Sequence, residues 1–197
     1  MGKMNKLFYR TIFILFFIFS AHAENKILSI GSSEAKVTIK VFSSLTCPHC
    51  ASFHNKIYRN LKIEFIDKGL VKFEHHAFPL DLAALNAEII IRCHVDNDKK
   101  FELLEKIYDK QKIWAVGSDI IKINDSIKKI AQGSNLSNKK MDDCLQNETA
   151  QDDILNQRIN AQKKYDISST PTVLINEKKY TGKTDYNEFK KAIEKKL

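Results

Sequence analysis

Cys47 and Cys50, three positions apart, stand where an alternating segment gives way to a helix-like one. Few folds accept that placement. Lys36 to Ser44 (KVTIKVFSS) puts Val37, Ile39 and Val41 on one face and predicts a strand. Cys47 then falls at the N-cap of a helix and Pro48 at its first position, where a missing N–H costs nothing. Phe53, Ile57, Leu61 and Phe65 recur every four residues as a buried stripe, and Lys68-Gly69 closes the helix with a cation and a C-cap glycine. Leu70 to Phe78 (LVKFEHHAF) predicts a second strand, ended by Pro79, with His75 and His76 on opposite faces. The result is a strand–helix–strand unit, and so an α/β fold, with two sulfurs at its first turn.

What the sulfurs do depends on the compartment. MGKMNKLFYR carries Lys3, Lys6 and Arg10 and no acid, TIFILFFIFS is unbroken and apolar, and Ala21-His22-Ala23 offers small residues at a cleavage site. Together these predict a secretory signal peptide over residues 1–23, removed after Ala23. The apolar run is shorter than the roughly 20 residues of a bilayer span, and no cysteine follows the cleavage site to carry a lipid. Cleavage removes three positive charges from the formal net charge of +8. The remaining modest basicity serves solubility or approach to an anionic membrane surface rather than nucleic acid. The four cysteines all survive cleavage, and an even count in an exported chain favours disulfides over metal ligands. Of the three possible pairings, the short Cys47–Cys50 loop makes Cys47–Cys50 with Cys93–Cys144 the natural one.

From Asp81 to about Tyr165 the chain has no proline, few glycines and helix-like segments near 83–94, 101–112, 119–131, 137–146 and 149–165, the first capped by Asp81. Thr170-Pro171 then leads into an apolar strand (TVLIN), a turn at Asn176-Glu177-Lys178 and a partner strand at Lys179-Tyr180-Thr181. Asp185 and Glu188 have capping-box spacing for a closing helix that buries Tyr186, Phe189 and Ile193.

At a helix N-terminus, Cys47 meets unpaired N–H groups and the positive end of the dipole, which favour the thiolate. His49 adds positive charge or a hydrogen bond. Each pKa unit is worth about 1.36 kcal/mol, so lowering Cys47 by about two or three from about 8.5 stabilises the reduced form by roughly 3–4 kcal/mol. A disulfide whose reduced form is favoured gives its oxidation away. Pro48-His49 at the helix start therefore points to an oxidant. Two other readings compete. Half a zinc site would recruit His54, His94 or the other cysteines. An inert disulfide one turn long would gain little loop-closure entropy.

CPHC after an alternating strand, the long helical block, and T-P-T followed by V-L-I-N resemble the DsbA family of thioredoxin-fold thiol–disulfide oxidoreductases, GSSEAKVTIKVFSSLTCPHCASFH most closely. The resemblance implies a thioredoxin fold with an inserted helical domain: residues 24–80 and 166–197 form the frame and 81–165 the insertion. It makes Cys47 the nucleophile, Cys50 the resolving partner, and Pro171 a cis proline whose neighbour Thr170 contacts thiolate and substrate. The implied activity is donation of a disulfide to reduced exported polypeptides in the periplasm, by a monomer without cofactor or metal, recharged by a membrane quinone reductase of the DsbB type. Cys93 and Cys144 look like the second disulfide of some alphaproteobacterial relatives. A bond between them would close a loop worth roughly 4 kcal/mol on the chain-entropy model.

Two positions depart from the family. Many relatives carry a buried acid six residues before the first cysteine, where this chain has Val41. Thr170 matches the isomerases, where the best-known oxidases have valine. An isomerase or reductase role is the alternative, although only residues 24–36 precede the first strand, leaving no room for the isomerases' extra N-terminal domain. A third alternative is an exported interaction protein without turnover.

Overall fold

A computed structural model describes residues 27–197; the expected signal segment, 1–23, lies outside the described residues. The central strand, β2 (Val37–Ser43), pairs in parallel with β3 (Val71–Ala77), as the intervening helix requires. β4 (Thr172–Ile175) runs antiparallel on the other side of β2, and β5 (Lys178–Lys179) forms the edge beyond it. The opposite edge is β1 (Leu28–Ile30), antiparallel to β3, so the order is β1-β3-β2-β4-β5. From sequence alone, residues 24–36 read as polar and turn-like. The strand within them is set by its pairing with β3, and only Leu28 of its three residues is buried.

The helix after β2 begins as α1 (Pro48–Phe53) and runs on through a π-helical segment, His54–Tyr58, a short α2 (Arg59–Leu61) and a second π-helical segment, Lys62–Ile66. The sequence predicts a regular helix here, and the difference has a geometric reason. A four-residue step in an α-helix overshoots a full turn by about 40°, whereas the wider π turn undershoots it. Alternating the two keeps Phe53, Ile57, Leu61 and Phe65 on one face, and all four are buried against the sheet face carrying Ile39, Val41 and Phe73. Gly69 ends the helix at φ +71°.

Between β3 and β4 lie α3 (Leu82–Arg92), α4 (Asn97–Asp109), α5 (Gln111–Trp114), α6 (Ile120–Gln132), α7 (Asn138–Leu145) and α8 (Glu148–Tyr165). Asp81 caps α3 by accepting from Ala84 N–H at 2.8 Å. α4 starts before the expected 101: Asp96 is its N-cap and accepts from Lys99 N–H. The segment expected as one helix over 101–112 stops at Asp109, and Gln111 opens the separate α5. Trp114 at the end of α5 is buried and donates from Nε1 to the Ile107 carbonyl.

The two sheet faces are covered unequally. The π-containing helix, α4 and the closing α9 (Tyr186–Glu194) cover one. The C-terminal half of α8 covers the other, with Phe42, Phe78, Ala161, Ile167 and Leu174 in a small second core. Asp185 caps α9 through the N–H groups of Asn187 and Glu188, while the Glu188 carboxylate pairs with Lys191.

Candidate active site

β2 ends at Ser43 and a tight turn follows, in which the Cys47 N–H donates to the Ser44 carbonyl at 3.1 Å. Cys47 is the N-cap of α1, with extended φ and ψ of −77° and 119°, and its carbonyl receives the N–H groups of Cys50 and Ala51. Pro48 and His49 project into solvent. Cys50, one turn deeper, is buried, and both sulfurs are free thiols. The Thr170–Pro171 bond is cis, and the Thr170 carbonyl accepts from the Cys47 thiol at 3.4 Å. Cys47, Cys50 and the Thr170–Pro171 peptide thus converge from the two ends of the sequence.

The two sulfurs differ electrostatically. Burial alone would push the Cys47 thiol up. Hydrogen bonds from the Thr170 side chain, the Cys50 backbone and thiol, and the His49 backbone outweigh it and hold Cys47 below the ordinary thiol value. The Thr170 hydroxyl is itself buried and bonded to no other group in the resting geometry, where the Cys47 thiol donates to the Thr170 carbonyl. Cys50 goes the other way: burial, then the nearby Cys47 charge, push its thiol far up. The pair therefore comprises one sulfur that carries charge readily and one that holds its proton.

Behind them lies a layer that sequence reading did not find. Gln111, buried at the start of α5, donates from its side-chain amide to the carbonyls of Leu45 and Cys47 at 2.8 and 2.9 Å. Nothing in the local sequence marks it, because its partners are main-chain atoms far off in the chain. Thr46 donates to the second carboxylate oxygen of Asp81 at 2.7 Å, tying the turn to the cap of α3. His54 is buried and stacks on the Tyr58 and Tyr108 rings at centroid distances of 4.4 and 4.7 Å. Neither of its ring nitrogens has a partner, and burial, then His75 and Arg59, push it down to about 3.

Val41, which occupies the place of the family's buried acid, lies opposite His75 in the β2–β3 register. His75 is buried and bonds Glu88 of α3 at 3.0 Å, and Glu88 also receives Arg92 at 2.9 Å. Burial by itself would raise the Glu88 carboxyl, but His75 and Arg92 hold it low. His76, on the opposite face, bonds Glu74 instead.

Cys93 and Cys144 are joined by a disulfide between the C-cap of α3 and α7, with Cα atoms 6.1 Å apart. A zinc site at Cys47 and Cys50 would need further ligands. Among the described residues there is no group of three His, Cys, Asp or Glu side chains placed to hold a metal. A cavity of about 280 Å³ beside Pro171 is lined by Phe53, Val173, Tyr180 and Phe189, among others.

A paired-thiol turn at a helix N-terminus, facing a cis-proline peptide on a five-stranded mixed sheet, defines a thiol–disulfide oxidoreductase of thioredoxin type. The Thioredoxin family profile matches residues 23–195. The chain belongs to that family and is a thiol–disulfide oxidoreductase. It is 31% identical over 180 residues to disulfide bond formation protein D of Bacillus subtilis, a match that covers 85% of this chain and 76% of the relative. It is 26% identical over 168 residues to a putative protein-disulfide oxidoreductase of Rickettsia conorii, spanning 85% of this chain and 59% of that protein's length. The crystal structure of alpha-DsbA1 from Wolbachia pipientis superposes with a TM-score of 0.80 at 24% identity, covering 86% of this chain and 90% of that one, and shares the fold with its helical insertion.

Proposed function

We propose that this protein is an exported dithiol oxidase that donates a Cys47–Cys50 disulfide to reduced polypeptides in the periplasm. A substrate thiolate attacks the Cys47 sulfur, the Cys47–Cys50 bond breaks, and Cys50 leaves as a thiolate that takes up a proton. A second substrate thiolate then attacks the substrate sulfur of the mixed disulfide, and Cys47 leaves as a thiolate. Two electrons pass from substrate to protein, and the substrate gains one disulfide. The supporting observation is the opposed tuning of the two thiols: Cys47, held low, is the better leaving group in the second step. Thr170 and Pro171 take the substrate-facing role beside it, and Pro48 and His49 tune it from the exposed turn. A membrane quinone reductase of the DsbB type restores the disulfide by passing those two electrons on from the reduced pair to a quinone.

The test is the redox equilibrium of Cys47–Cys50 against glutathione, with the thiolate absorbance of Cys47 followed against pH. An oxidase gives a midpoint well below about 8.5 and a potential above that of glutathione. A midpoint near that value with a strongly reducing potential would replace the oxidase by a reductase. The isomerase reading draws on Thr170 and predicts unscrambling of wrongly bonded ribonuclease, which a pure oxidase performs poorly. An interaction protein without turnover would keep its partner after Cys47→Ser. Export through a signal removed after Ala23 is tested by the N-terminal mass of the mature chain.

A further inference from the structure

Behind the sulfur turn lies a cluster of buried side chains whose polar atoms are hydrogen-bonded to no other group: both ring nitrogens of His54 and the hydroxyls of Tyr58 and Tyr108. A buried polar atom left unpaired costs stability, and a native core keeps few of them without a use. Their placement follows from the helices. The His54 N–H donates to the Cys50 carbonyl, so the imidazole lies one turn after the deeper sulfur. The Tyr58 and Tyr108 rings stack on it. Tyr108 arrives on α4, and three residues further on Gln111 holds the Cys47 carbonyl. The two hydroxyls face different charges. Burial, then the Cys50 charge, push the Tyr108 phenol far up, and Glu88 and Cys47 add to this. The Ser43 hydroxyl works the other way, but it donates to the Val41 carbonyl at 3.5 Å and makes no bond with Tyr108. Tyr58 is pushed up by burial, then by Glu105 and Asp67.

We infer that the Tyr108 hydroxyl is the hydrogen-bond donor that meets the negative charge on Cys50 when the Cys47–Cys50 bond breaks. The inference deepens the reading of that pair as the exchanging disulfide and rests on it. As a thiolate attacks Cys47, the electron pair of the broken bond moves onto the Cys50 sulfur, which burial makes a poor place for charge. A donor fixed beforehand near that sulfur lowers the barrier, because no solvent has to reorganise around it. Tyr108 fits in three respects. Its ring is held by the stack on His54. Its hydroxyl has no existing bond to give up on turning to the sulfur. Burial keeps the phenol protonated, so it remains a donor at neutral pH. Tyr108 keeps its proton throughout the step, and Cys50 takes one up afterwards.

The test compares the wild type with Tyr108→Phe and, as a control, Tyr58→Phe, which removes another buried, unpaired hydroxyl from the same stack. Oxidised protein is mixed with excess reduced glutathione and quenched by alkylation, which gives the rate constant for opening of the Cys47–Cys50 bond. The reverse rate constant, for closure from the glutathione mixed disulfide at Cys47, is read in the same way. Both fall about tenfold in Tyr108→Phe, equivalent to about 1.4 kcal/mol at the transition state, while Tyr58→Phe keeps the wild-type rates. The equilibrium with glutathione stays where it was, because the donor acts on the charged sulfur and Cys50 holds its proton in the reduced form. A merely structural role would move that equilibrium along with the rates. Wild-type rates in Tyr108→Phe would overturn the inference, and so would equal slowing in both variants or a potential that shifts with the rate. A strongly reducing potential in the wild type would sink the oxidase reading and leave the Tyr108 donor standing; an oxidising potential with unaltered rates in Tyr108→Phe would do the reverse.

Discussion

The molecule holds two cysteine pairs, and the same element is put to opposite ends. Cys47 and Cys50 sit one helical turn apart at an N-terminus, unbonded, with their thiols pushed in opposite directions. Cys93 and Cys144 are 51 residues apart, bonded, and tie α3 to α7. A short loop gives a bond little entropic support and leaves its stability to local electrostatics. A long loop makes the bond a brace, because opening it releases much of the unfolded chain. Environment and loop length, rather than residue type, separate a reactive pair from a structural one.

The contrast is broken most severely by removing sulfur from each pair in turn. Cys47→Ser is expected to abolish oxidation of a reduced peptide. Cys93→Ala/Cys144→Ala is expected to retain it while losing about 4 kcal/mol of stability in denaturant unfolding, the loop-closure value for this separation. Retained stability in the second variant would show that the brace carries no load.

His54 gives the next effect. Its folded pKa lies below the unfolded one, so the unfolded chain takes a proton first as pH falls. Stability from His54 is thus full above about 6.5 and declines by about 1.4 kcal/mol per pH unit toward the folded value of about 3. His54→Phe keeps a stacked ring and is expected to flatten the acid limb of a stability–pH curve; an unchanged limb would mean that His54 takes up its proton equally in both states.

Gln111→Leu is expected to cost about 2 kcal/mol in denaturant unfolding, since it strands two carbonyls that Gln111 now satisfies. The smallest effect is on the reduced form itself. Because the folded pKa of Cys47 is depressed, its contribution to stability is complete above the ordinary thiol value and is lost as pH falls through the folded value. Cys50, raised, works against this above the ordinary value. Reduced protein should therefore gain stability, relative to oxidised, as pH rises toward about 8.5 and not beyond it.

The parts legible in the sequence are those that local physics decides. The alternation of Val37, Ile39 and Val41, the Cys47-Pro48 helix start and the Asp81 and Asp185 caps each depend on neighbours within a few positions. β1 was not legible, because it exists through the β3 edge it pairs with. The turn after β4 was, but its partner strand begins one residue earlier, at Lys178, because Asn176 and Glu177 both take positive φ and close a two-residue hairpin. At the site, the sulfurs and Thr170-Pro171 were found by motif. Gln111, His54 and the His75–Glu88 pair were not, because each is defined by what a distant segment brings against it.

The Gln111 contact also bears on how this architecture can be dissected. The loop bearing the sulfurs is latched by a side chain from the helices between β3 and β4, not from the sheet that carries it. A miniaturised version that splices β3 to α8 would keep the motif and the cis proline yet release the latch. The helical segment is thus a built-in jig for the sulfur-bearing turn, and engineers trimming this architecture should transplant that amide along with the cysteines.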